Sequence, residues 1–501
     1  MEGLLSRVLR YWRPERKETT ALAGRDERRG APVLMWFRRD LRLADNPALA
    51  WASQSGRPVI PFFLLDDEER RRGGASRWWL HGSLDALGGS LARIGSRLIL
   101  RRGPAGEAVA ALAEETGAAD IVWNRLYEPA LVERDTAVKA QCRDAGLAPR
   151  SFNAALLFEP WAVRTQTGGH YRVFTPFWRQ CLKQGFEPRQ GTVRRLPPPA
   201  DWPASEELAD WLLRPTTPDW AAGLRETWQP GEAGARLRLE RFLGERASGY
   251  AEGREFPADE GTGRLSPHLH FGEIGPRQVA AALGLPEPGS GAYAFLRQIG
   301  WREFSYHLLH HNPDMDSVNL QRDFDRMPWR DAPEGLQAWQ RGRTGYPLVD
   351  AGMRELWTTG WMHNRARMVV ASFLTKHLLI DWRSGAGWFL DTLVDADLAN
   401  NSAGWQWVAG SGADAAPYFR IFNPVAQSRR FDAGGGYLRK WLPELRRLPG
   451  KWIHAPWEAP EAVLAEAGVR LGEAYPRPIV DHRPARERAL GIYRNVIRVG
   501  A

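Results

Sequence analysis

Between residues 31 and 158, short apolar runs alternate with longer stretches in which apolar residues recur at helical spacing. Buried strands of a parallel sheet are nearly continuous apolar runs, and the crossover helices between them are amphipathic. The pattern therefore predicts strands over 32–37, 58–65, 98–100 and 121–123, and helices over 78–94, 106–115 and 137–144. Strands alternating with helices in this order predict an α/β domain over 32–158, with a doubly wound parallel sheet.

The remaining chain changes character twice. From 159 to 229 the pattern is irregular, and the four prolines within 195–203 are typical of an interdomain linker. Beyond residue 233 helical periodicity dominates, which predicts helices over 292–310, 352–379 and 388–398 within a larger all-α domain over 230–495. Residues 1–31 are rich in arginine but also carry acidic residues, and we interpret them as a flexible basic extension.

Composition narrows the classes of function. The formal net charge of +9 favours a polyanionic partner, because lysine and arginine that neutralise phosphates release condensed counterions. No apolar run approaches the roughly 20 residues that cross a bilayer, so no membrane partner is expected. Cys142 and Cys181 have neither disulfide-framework nor metal-site spacing, which favours a reducing compartment, and we expect the cytoplasm.

Two short motifs carry little weight. Residues 410–415 fit a dinucleotide-binding fingerprint, but they follow no clean strand, and Pro417 comes soon after them. His307, His310 and His311 share helical spacing, but no cysteine, aspartate or glutamate completes a metal site in the sequence around them. We therefore expect no metal.

Five segments together resemble the photolyase/cryptochrome family, and the resemblance extends from residue 33 to about 493. They are WFRRDLRL at 36–43 with Asp45 and Asn46 after it, GWREF at 300–304, TGYP at 344–347, GWMHNR at 360–365 and YFRIFNP at 418–424. The resemblance implies a U-shaped FAD buried in the helical domain and a light-driven DNA repair enzyme, a deoxyribodipyrimidine photo-lyase. The stretch 452–479 is most like plant cryptochromes and their sister class, the bacterial cyclobutane pyrimidine dimer photolyases.

The resemblance also implies which residues contact FAD. Asp395 and Asp397 flank the flavin in the family, and Arg367 pairs with Asp395, which compensates a buried charge. Residues 262–266 suit the diphosphate, although the same stretch is also a plausible helix-initiating turn capped by Ser266. The residues expected to bind the cofactor are Tyr250, Thr262, Gly263, Leu265, Ser266, Arg302, Arg367, Asp395, Asp397 and Asn401.

Asn401 and three tryptophans are the expected catalytic residues. Asn401 falls where the family faces flavin N5, and a neutral amide there forms hydrogen bonds without supplying a proton. Plant cryptochromes have aspartate at this place, so the amide favours a repair enzyme over a photoreceptor. Trp405, Trp382 and Trp329 match the family's relay, which carries electrons from the surface to the photoexcited flavin, whereas each tryptophan taken singly would be interpreted as core.

Lesion contacts are expected on two helical faces. Trp361, Asn364 and Met368 are spaced by three and four residues, and the resemblance implies contacts from Asn364 and Met368 to a cyclobutane dimer. Gln298, Trp301 and Arg302 share a face of another helix, with Trp301 as an aromatic platform for a flipped-out base. The residues expected to bind the substrate are Gln298, Trp301, Asn364, Met368 and Trp407.

Gln298 leaves the lesion type open. Cyclobutane-dimer enzymes usually have glutamate there and (6-4) photoproduct enzymes glutamine, and an amide cannot protonate a thymine radical anion. The (6-4) enzymes also have a histidine-bearing segment in place of 364–368, which this chain lacks, so the cyclobutane dimer is the first choice. The alternatives are (6-4) repair and a blue-light photoreceptor without repair activity; a general flavin oxidoreductase would need a nicotinamide site, which is not recognisable.

The resemblance also implies a macromolecular partner and a second pigment. The expected partner is DNA containing pyrimidine dimers, with a monomeric chain and no obligate protein partner. An antenna pigment is expected near the α/β domain, with methenyltetrahydrofolate favoured over a deazaflavin. The acidic residue that grips folate in some members is not recognisable after residues 127–129.

Overall fold

The computed structural model describes residues 30–284, 286–414 and 419–497. All but the last two residues of the expected 1–31 extension lie outside these ranges, as do Pro417 and Tyr418. The described chain divides into two compact units, the first formed by 30–71, 85–155 and 190–211, and the second by 72–84, 156–189 and residues from 212 onward. The domain and linker boundaries expected at 158 and 229 remain predictions.

The first unit is built on a five-stranded parallel sheet with the strand order β3-β2-β1-β4-β5. The strands are β1 Val33–Phe37, β2 Val59–Leu65, β3 Ile99–Arg102, β4 Asp120–Asn124 and β5 Ala148–Phe152. β1, β2 and β4 are buried at every position, as expected of strands that are covered on both faces. The expected α/β fold with a parallel sheet is confirmed, and the strand order reverses between β1 and β4.

The sequence pattern did not predict β5. It reads APRSF, contains Pro149 and Arg150, and is only partly buried. An edge strand has one side without a neighbouring strand, so proline and charged residues are tolerated there. Its position beside β4 alone therefore explains the weak apolar signal.

Helices separate the strands of the first unit and build the second. Between the strands lie α1 Pro47–Gln54, α2 Asp67–Arg70, α3 Gly74–Arg93, α4 Ala105–Thr116 and α5 Pro129–Asp144. The later helices are α6 Phe174–Gln184, α7 Ala222–Thr227, α8 Glu232–Glu245, α9 Tyr250–Gly253, α10 Ser266–His270, α11 Pro276–Leu283, α12 Gly291–His311, α13 Pro333–Gln340, α14 Pro347–Thr359, α15 Asn364–Ser372, α16 Trp382–Thr392, α17 Leu398–Ala409, α18 Pro424–Phe431, α19 Gly436–Trp441, α20 Gly450–Ile453, α21 Glu461–Ala467 and α22 His482–Ile492. The expected helical character of the larger part is confirmed.

Two expected helices are wrong as continuous elements, whereas 292–310 corresponds to α12. The stretch 352–379 is interrupted because Gly360 has a φ of 66° and ends α14 in the left-handed conformation. The chain starts again at α15 and continues into a π-helical turn, Phe373–Leu378. The stretch 388–398 also contains an end and a start, since α16 ends at Thr392 and Asp397 caps α17.

Two helices, α6 and the shorter α7, lie inside the stretch that was expected to be irregular. In α6 the buried residues are Phe174, Phe177, Trp178 and Cys181, which is the i, i+3, i+4, i+7 spacing of an amphipathic helix. The prolines that follow α6 are typical of a linker, and the helical periodicity of α6 was therefore not recognised in the sequence.

The main core of the second unit is formed chiefly by residues of α14 to α17 and the π-turn, with aromatic residues of α13 and α19 added. Its buried aromatic residues include Trp339, Phe373, Trp382, Phe389 and Trp405. Among the described residues, no helix has both the length and the apolar character that crossing a bilayer requires.

Candidate functional site

Asp397 begins α17 and gathers polar groups from three elements. Its carboxylate accepts hydrogen bonds from the Asn400 backbone N–H at 2.9 Å and the Asn400 side-chain amide at 2.7 Å. It also accepts one from the Tyr306 hydroxyl, and His270 Nδ1 lies 3.5 Å away. Burial alone raises the pKa of this carboxyl, but His270, Arg302 and Tyr306 outweigh burial and hold the pKa well below its usual range. Asp397 is therefore an ionised carboxylate at neutral pH.

Asp395 joins two other segments to the start of α17. The Arg367 guanidinium donates to both of its carboxylate oxygens, at 3.0 and 2.8 Å, and the Ser266 hydroxyl donates at 2.6 Å. The Asp395 side chain is 4% exposed and the Arg367 side chain 25% exposed. The pair is thus compensated, as expected from the sequence, while Arg367 keeps an accessible face.

Ser266 does not cap a helix, which corrects one of the two interpretations of this stretch. α10 begins at Ser266 itself, the capping position belongs to Leu265, and no side chain makes a cap hydrogen bond. The hydroxyl is committed to Asp395 instead. The turn thus has a polar role beyond starting a helix.

The loop before α10 is packed closely. A Cβ on Gly263 would lie 3.4 Å from the rings of Phe242 and Phe295. Tyr250 packs edge-on against the same two rings, with centroids 5.5 and 5.1 Å away. Leu265 is buried and Thr262 is half-buried, so this wall combines a buried apolar side with a reachable hydroxyl.

Asn401 and Arg302 occupy defined positions on α17 and α12. The Asn401 amide donates to the Ala386 carbonyl of α16 at 3.0 Å, which fixes the side chain while its carbonyl oxygen can still accept. The Arg302 guanidinium lies over the Tyr306 ring, 5.1 Å from its centroid. Arg302, Tyr306 and Asp397 therefore form one connected group.

The three relay tryptophans belong to one packed region. Trp405 and Trp382 are both core members, and Trp329 packs against the same core from a half-buried position. Gly385 lies one turn after Trp382 on α16, and the Trp405 ring packs directly against it. A Cβ on Gly385 would come within 2.1 Å of that ring, so only glycine allows α16 to approach Trp405 this closely. Exposure rises from two buried tryptophans to one that is partly accessible.

Asn364 and Met368 lie next to each other on the first turn of α15, where the amide of Asn364 lies 3.7 Å from the Met368 sulfur. Trp361 was expected on the same helical face, and this is wrong, because α15 begins at Asn364 and Trp361 lies in the preceding loop. It is buried there, with the guanidinium of Arg264 4.7 Å from its ring centroid. The left-handed Gly360 terminates α14, so Trp361 cannot share a helical face with Asn364 and Met368.

On α12, Gln298 and Trp301 are both half-buried, one turn apart. The Gln298 amide donates to the Ala294 carbonyl at 3.3 Å. Trp301 stacks on Phe174 with centroids 3.8 Å apart and planes at 10°, so Phe174 covers one face of the expected platform. Trp407 lies on α17 and is half-buried.

Comparison with known proteins gives the family. The DNA photolyase family matches residues 33–200, and the FAD-binding domain of DNA photolyase matches 295–495. A deoxyribodipyrimidine photo-lyase of Agrobacterium fabrum is 52% identical, over 92% of this chain and 98% of that protein. The crystal structure of a bacterial class III photolyase from Agrobacterium tumefaciens has a TM-score of 0.90 at 50% identity, over 96% of this chain and 99% of that one. The chain belongs to the DNA photolyase/cryptochrome family.

Family membership confirms the FAD-binding domain and the expected enzyme class, a photolyase. Photoreceptors of the family are also related to this chain. Cryptochrome-1 of Arabidopsis thaliana is 41% identical, over 92% of this chain and 70% of that protein. The individual residue roles within the photolyase fold are not tested by similarity and remain predictions.

The residues present suit a flavin cofactor. Gly263 packs against the rings of Phe242 and Phe295, and the neighbouring Thr262 keeps a half-buried hydroxyl for an anion. Arg367 offers a partly exposed guanidinium for an anion, and Asn401 offers an amide oxygen for a ring N–H. These donors and acceptors match the diphosphate and the polar ring edge of FAD.

Several residues of this photolyase site were missed in the sequence. Tyr306 could have been found, since it follows Arg302 by one helical turn on α12. Glu303 accepts from the Leu157 and Phe158 backbone N–H groups at 2.8 and 3.2 Å, and burial raises the pKa of Glu303 to about 7. No local pattern indicates the roles of Glu303 or Phe174, because their partners are distant in sequence.

Proposed function

We propose that this chain splits cyclobutane pyrimidine dimers in DNA, using light and an electron from bound reduced FAD. The observation that carries the proposal is the arrangement of α15. Asn364 and Met368 are neighbours on its first turn, and Arg367 of the same turn pairs with Asp395. One short helix thus holds the expected lesion contacts beside the expected flavin contacts.

The protein's own groups set the electronic conditions. A bound, reduced flavin supplies the photoexcited electron donor. Asp397 is already ionised and the Asn401 amide is not an acid, so neither residue delivers a proton to the cofactor at neutral pH. This environment favours an electron-rich flavin, and Trp405, Trp382 and Trp329 restore that state from the surface.

The lesion must leave the duplex stack to reach a site of this kind. Trp301, fixed on one side by Phe174, presents an aromatic surface to an extruded base. Asn364 and Gln298 add amide groups that can donate to and accept from thymine. The net charge of +9 supplies backbone affinity that falls steeply with salt.

A photolyase of (6-4) photoproducts is the second candidate, and Gln298 is the observation that favours it. The Gln298 amide donates one N–H to the Ala294 carbonyl, which leaves its second N–H and its carbonyl oxygen for a ligand. A carboxylic acid at this position could also donate a proton, and an amide cannot. The two lesions therefore place different demands on one side chain.

The test is repair of two defined oligonucleotides under blue light, one with a cyclobutane dimer and one with a (6-4) photoproduct. We expect dimer repair by the parent, and severalfold faster dimer repair by Gln298→Glu. Gln298→Met is the matched control, since it keeps the length and loses the polar head. Repair of the (6-4) substrate alone would overturn the substrate assignment, and repair of neither lesion would favour a photoreceptor.

We also propose methenyltetrahydrofolate rather than a deazaflavin as antenna. Nucleotide-like ligands of doubly wound sheets bind where the strand order reverses, here between β1 and β4. That edge is occupied by a buried pair, Arg38 and Asp135, with Arg38 Nη1 2.6 Å from the carboxylate. Glu128, the acidic residue after Tyr127, is itself engaged by Arg39 at 2.7 Å. The absorption spectrum of extracted pigment distinguishes the two chromophores.

The cellular setting follows from the same proposal. Both cysteines are free and buried, which suits a reducing cytoplasm where DNA is accessible. We propose a monomer that needs no protein partner for repair, and light scattering of the purified holoprotein tests this directly.

A further inference from the structure

The indole of Trp382 makes a specific hydrogen bond that the relay role does not itself require. Trp382 is 0% exposed, and its Nε1–H donates to the Asn319 side-chain oxygen at 3.0 Å. Asn319 is 2% exposed. By contrast, the Trp405 Nε1 is buried without a hydrogen-bond partner among the described residues.

The Asn319 amide can have only one orientation. Its nitrogen donates to the Asp325 carboxylate at 2.8 Å, and an ionised carboxylate only accepts. An indole N–H only donates, so the two neighbours agree that the amide oxygen faces Trp382. The Asp325 side chain is 42% exposed and pairs with Arg322, which places this anchor at the surface.

A tryptophan that loses an electron becomes a cation with a far more acidic N–H. Its proton leaves only if a base accepts it, and a neutral amide oxygen is not a base at any working pH. A second feature disfavours a positive charge that stays on Trp382: the Arg383 guanidinium lies 4.7 Å from the ring centroid. Asp381 offsets part of that charge, 3.0 Å from Arg383.

We propose that Asn319 is a positioning residue that keeps the Trp382 radical protonated, so that Trp382 passes the positive charge on to Trp329. This proposal rests on the proposed function. Trp382 gives one electron towards Trp405 and receives one from Trp329, and its N–H proton stays in place throughout. A carboxylate at position 319 would take that proton and leave a neutral radical, which Trp329 refills much less readily. The amide at position 319 therefore allows the positive charge to move from Trp382 to Trp329.

The test is time-resolved absorption of the flavin-loaded protein, in which cationic and neutral tryptophan radicals differ in their visible bands. Asn319→Asp is made together with Asp325→Asn, because the Asp325 carboxylate, 2.8 Å from the Asn319 nitrogen, would otherwise keep the new acid protonated. The double variant should form the neutral radical at Trp382 and pass the charge to Trp329 on the order of tenfold more slowly, whereas Asp325→Asn alone should retain the parent's cation. Asn312→Asp is the matched control, because this other amide bonds only a backbone carbonyl, Leu308 O at 2.9 Å. It should retain the parent's cation and rate.

A dark measurement gives an independent readout. The indole N–H resonance of Trp382, identified by its loss in Trp382→Phe, should move downfield in the double variant relative to Asp325→Asn, because a carboxylate is a stronger acceptor than an amide. In Asp325→Asn alone, the same resonance should move upfield relative to the parent, because a neutral amide accepts more weakly from the Asn319 N–H and polarises the Asn319 oxygen less. Unchanged resonances in both variants would contradict the assigned hydrogen bond.

The outcomes separate this inference from the relay. If the parent forms no tryptophan radical under light, the relay fails and this inference with it. If the radical forms and the double variant passes it on as a cation at the parent's rate, only the role of Asn319 is wrong. A parent measurement needs no variant: passage from Trp382 should have the same rate in D2O, and slowing there would show that the proton moves.

Discussion

Two polar clusters of this chain use the same kinds of side chain for different ends. The sheet-edge cluster consists of Arg38, Asp40, Asn46, Asn124 and Asp135, and each is at most 3% exposed. The helical cluster consists of Ser266, Arg367, Asp395, Asp397 and Asn401, and it keeps a 25% exposed guanidinium. In the first, most polar groups bond one another, as in Asn124, which donates to Asp40 and Asn46. In the second, donors and acceptors remain for a ligand.

The comparison teaches that a family motif need not mark chemistry. The segment WFRRDLRL is among the most specific of the sequence, yet the side chains of its Arg38 and Asp40 bond other groups of the protein and stabilise the fold. Asp40 accepts from the Arg38 backbone N–H at 2.6 Å, and Asn46 caps α1 by accepting from Leu49 at 3.1 Å. These residues hold the end of β1 in shape.

The largest expected effect is on the stability of the sheet-edge cluster. Arg38→Met leaves the buried Asp135 with Arg134 alone, 2.8 Å away, and removes the donor to the Asn124 carbonyl, so the free energy of unfolding should fall by about 3 kcal/mol, the lower end for a broken buried pair. Urea unfolding measures it. Arg71→Met is the control, because the Arg71 side chain is 73% exposed in its pair with Glu68, and it should change stability by less than about 1 kcal/mol. Equal effects would show that the sheet-edge pair is not buried as described.

The helical cluster should respond in cofactor affinity more than in stability. Arg367→Met removes the cation that holds Asp395, and FAD affinity should fall about 30- to 100-fold, or about 2–3 kcal/mol. Titration of flavin-free protein with FAD measures it. Arg225→Met changes an exposed pair with Asp219 and should leave FAD affinity unchanged. A normal affinity in Arg367→Met would remove Arg367 from the cofactor site.

The helix that carries Arg367 should also respond to acid, through a residue at its start that lies outside the helical cluster. His363 caps α15 by accepting from the Arg365 N–H, and burial, then Arg264, lowers its pKa to about 4. Because the unfolded pKa is about 6.5, the unfolded chain binds more protons between these values, and stability is lost as pH falls. The parent should lose about 2 kcal/mol from this group between pH 7 and pH 5.

His363→Asn retains a good capping residue and removes the titrating group. Urea unfolding at the two pH values should therefore give a smaller loss in the variant, and the difference isolates His363 from the other histidines. The five residues of the sheet-edge cluster include no histidine. A loss of equal size in parent and variant would contradict the lowered pKa of His363.

The sequence predicted what depends on local periodicity and on specific motifs. The parallel sheet, α12, the pairing of Arg367 with Asp395 and the neighbouring Asn364 and Met368 are all present. Errors arose where a single residue changes the backbone direction, as at Gly360, or where an edge strand needs little apolar surface, as in β5. Side-chain partners far apart in sequence, such as Trp382 and Asn319, leave no periodic trace.

The smallest expected effect is on the rate of flavin photoreduction, and it distinguishes a buried tryptophan of the helical unit from one of the sheet unit. Trp36 and Trp382 are equally buried, at 1% and 0% exposed, and each has an arginine over its ring, at 5.0 and 4.7 Å. Trp36 packs in the sheet unit with Phe62 and Trp123, whereas Trp382 belongs to the helical core with Trp405. Burial is thus matched, and a second arginine, Arg134, lies 5.1 Å from the Trp36 ring centroid, so Trp36 has at least as much positive charge nearby. The comparison therefore tests the relay role expected of Trp382 alone.

Trp382→Phe should slow flavin photoreduction about tenfold and leave dimer repair by chemically reduced protein unchanged. Trp36→Phe should leave both rates at the parent value, because its ring serves only packing. The measurement is bleaching of oxidised flavin under steady blue light, compared with single-turnover repair after chemical reduction. Equal slowing in both variants would mean that a general loss of packing, and not electron relay, controls photoreduction.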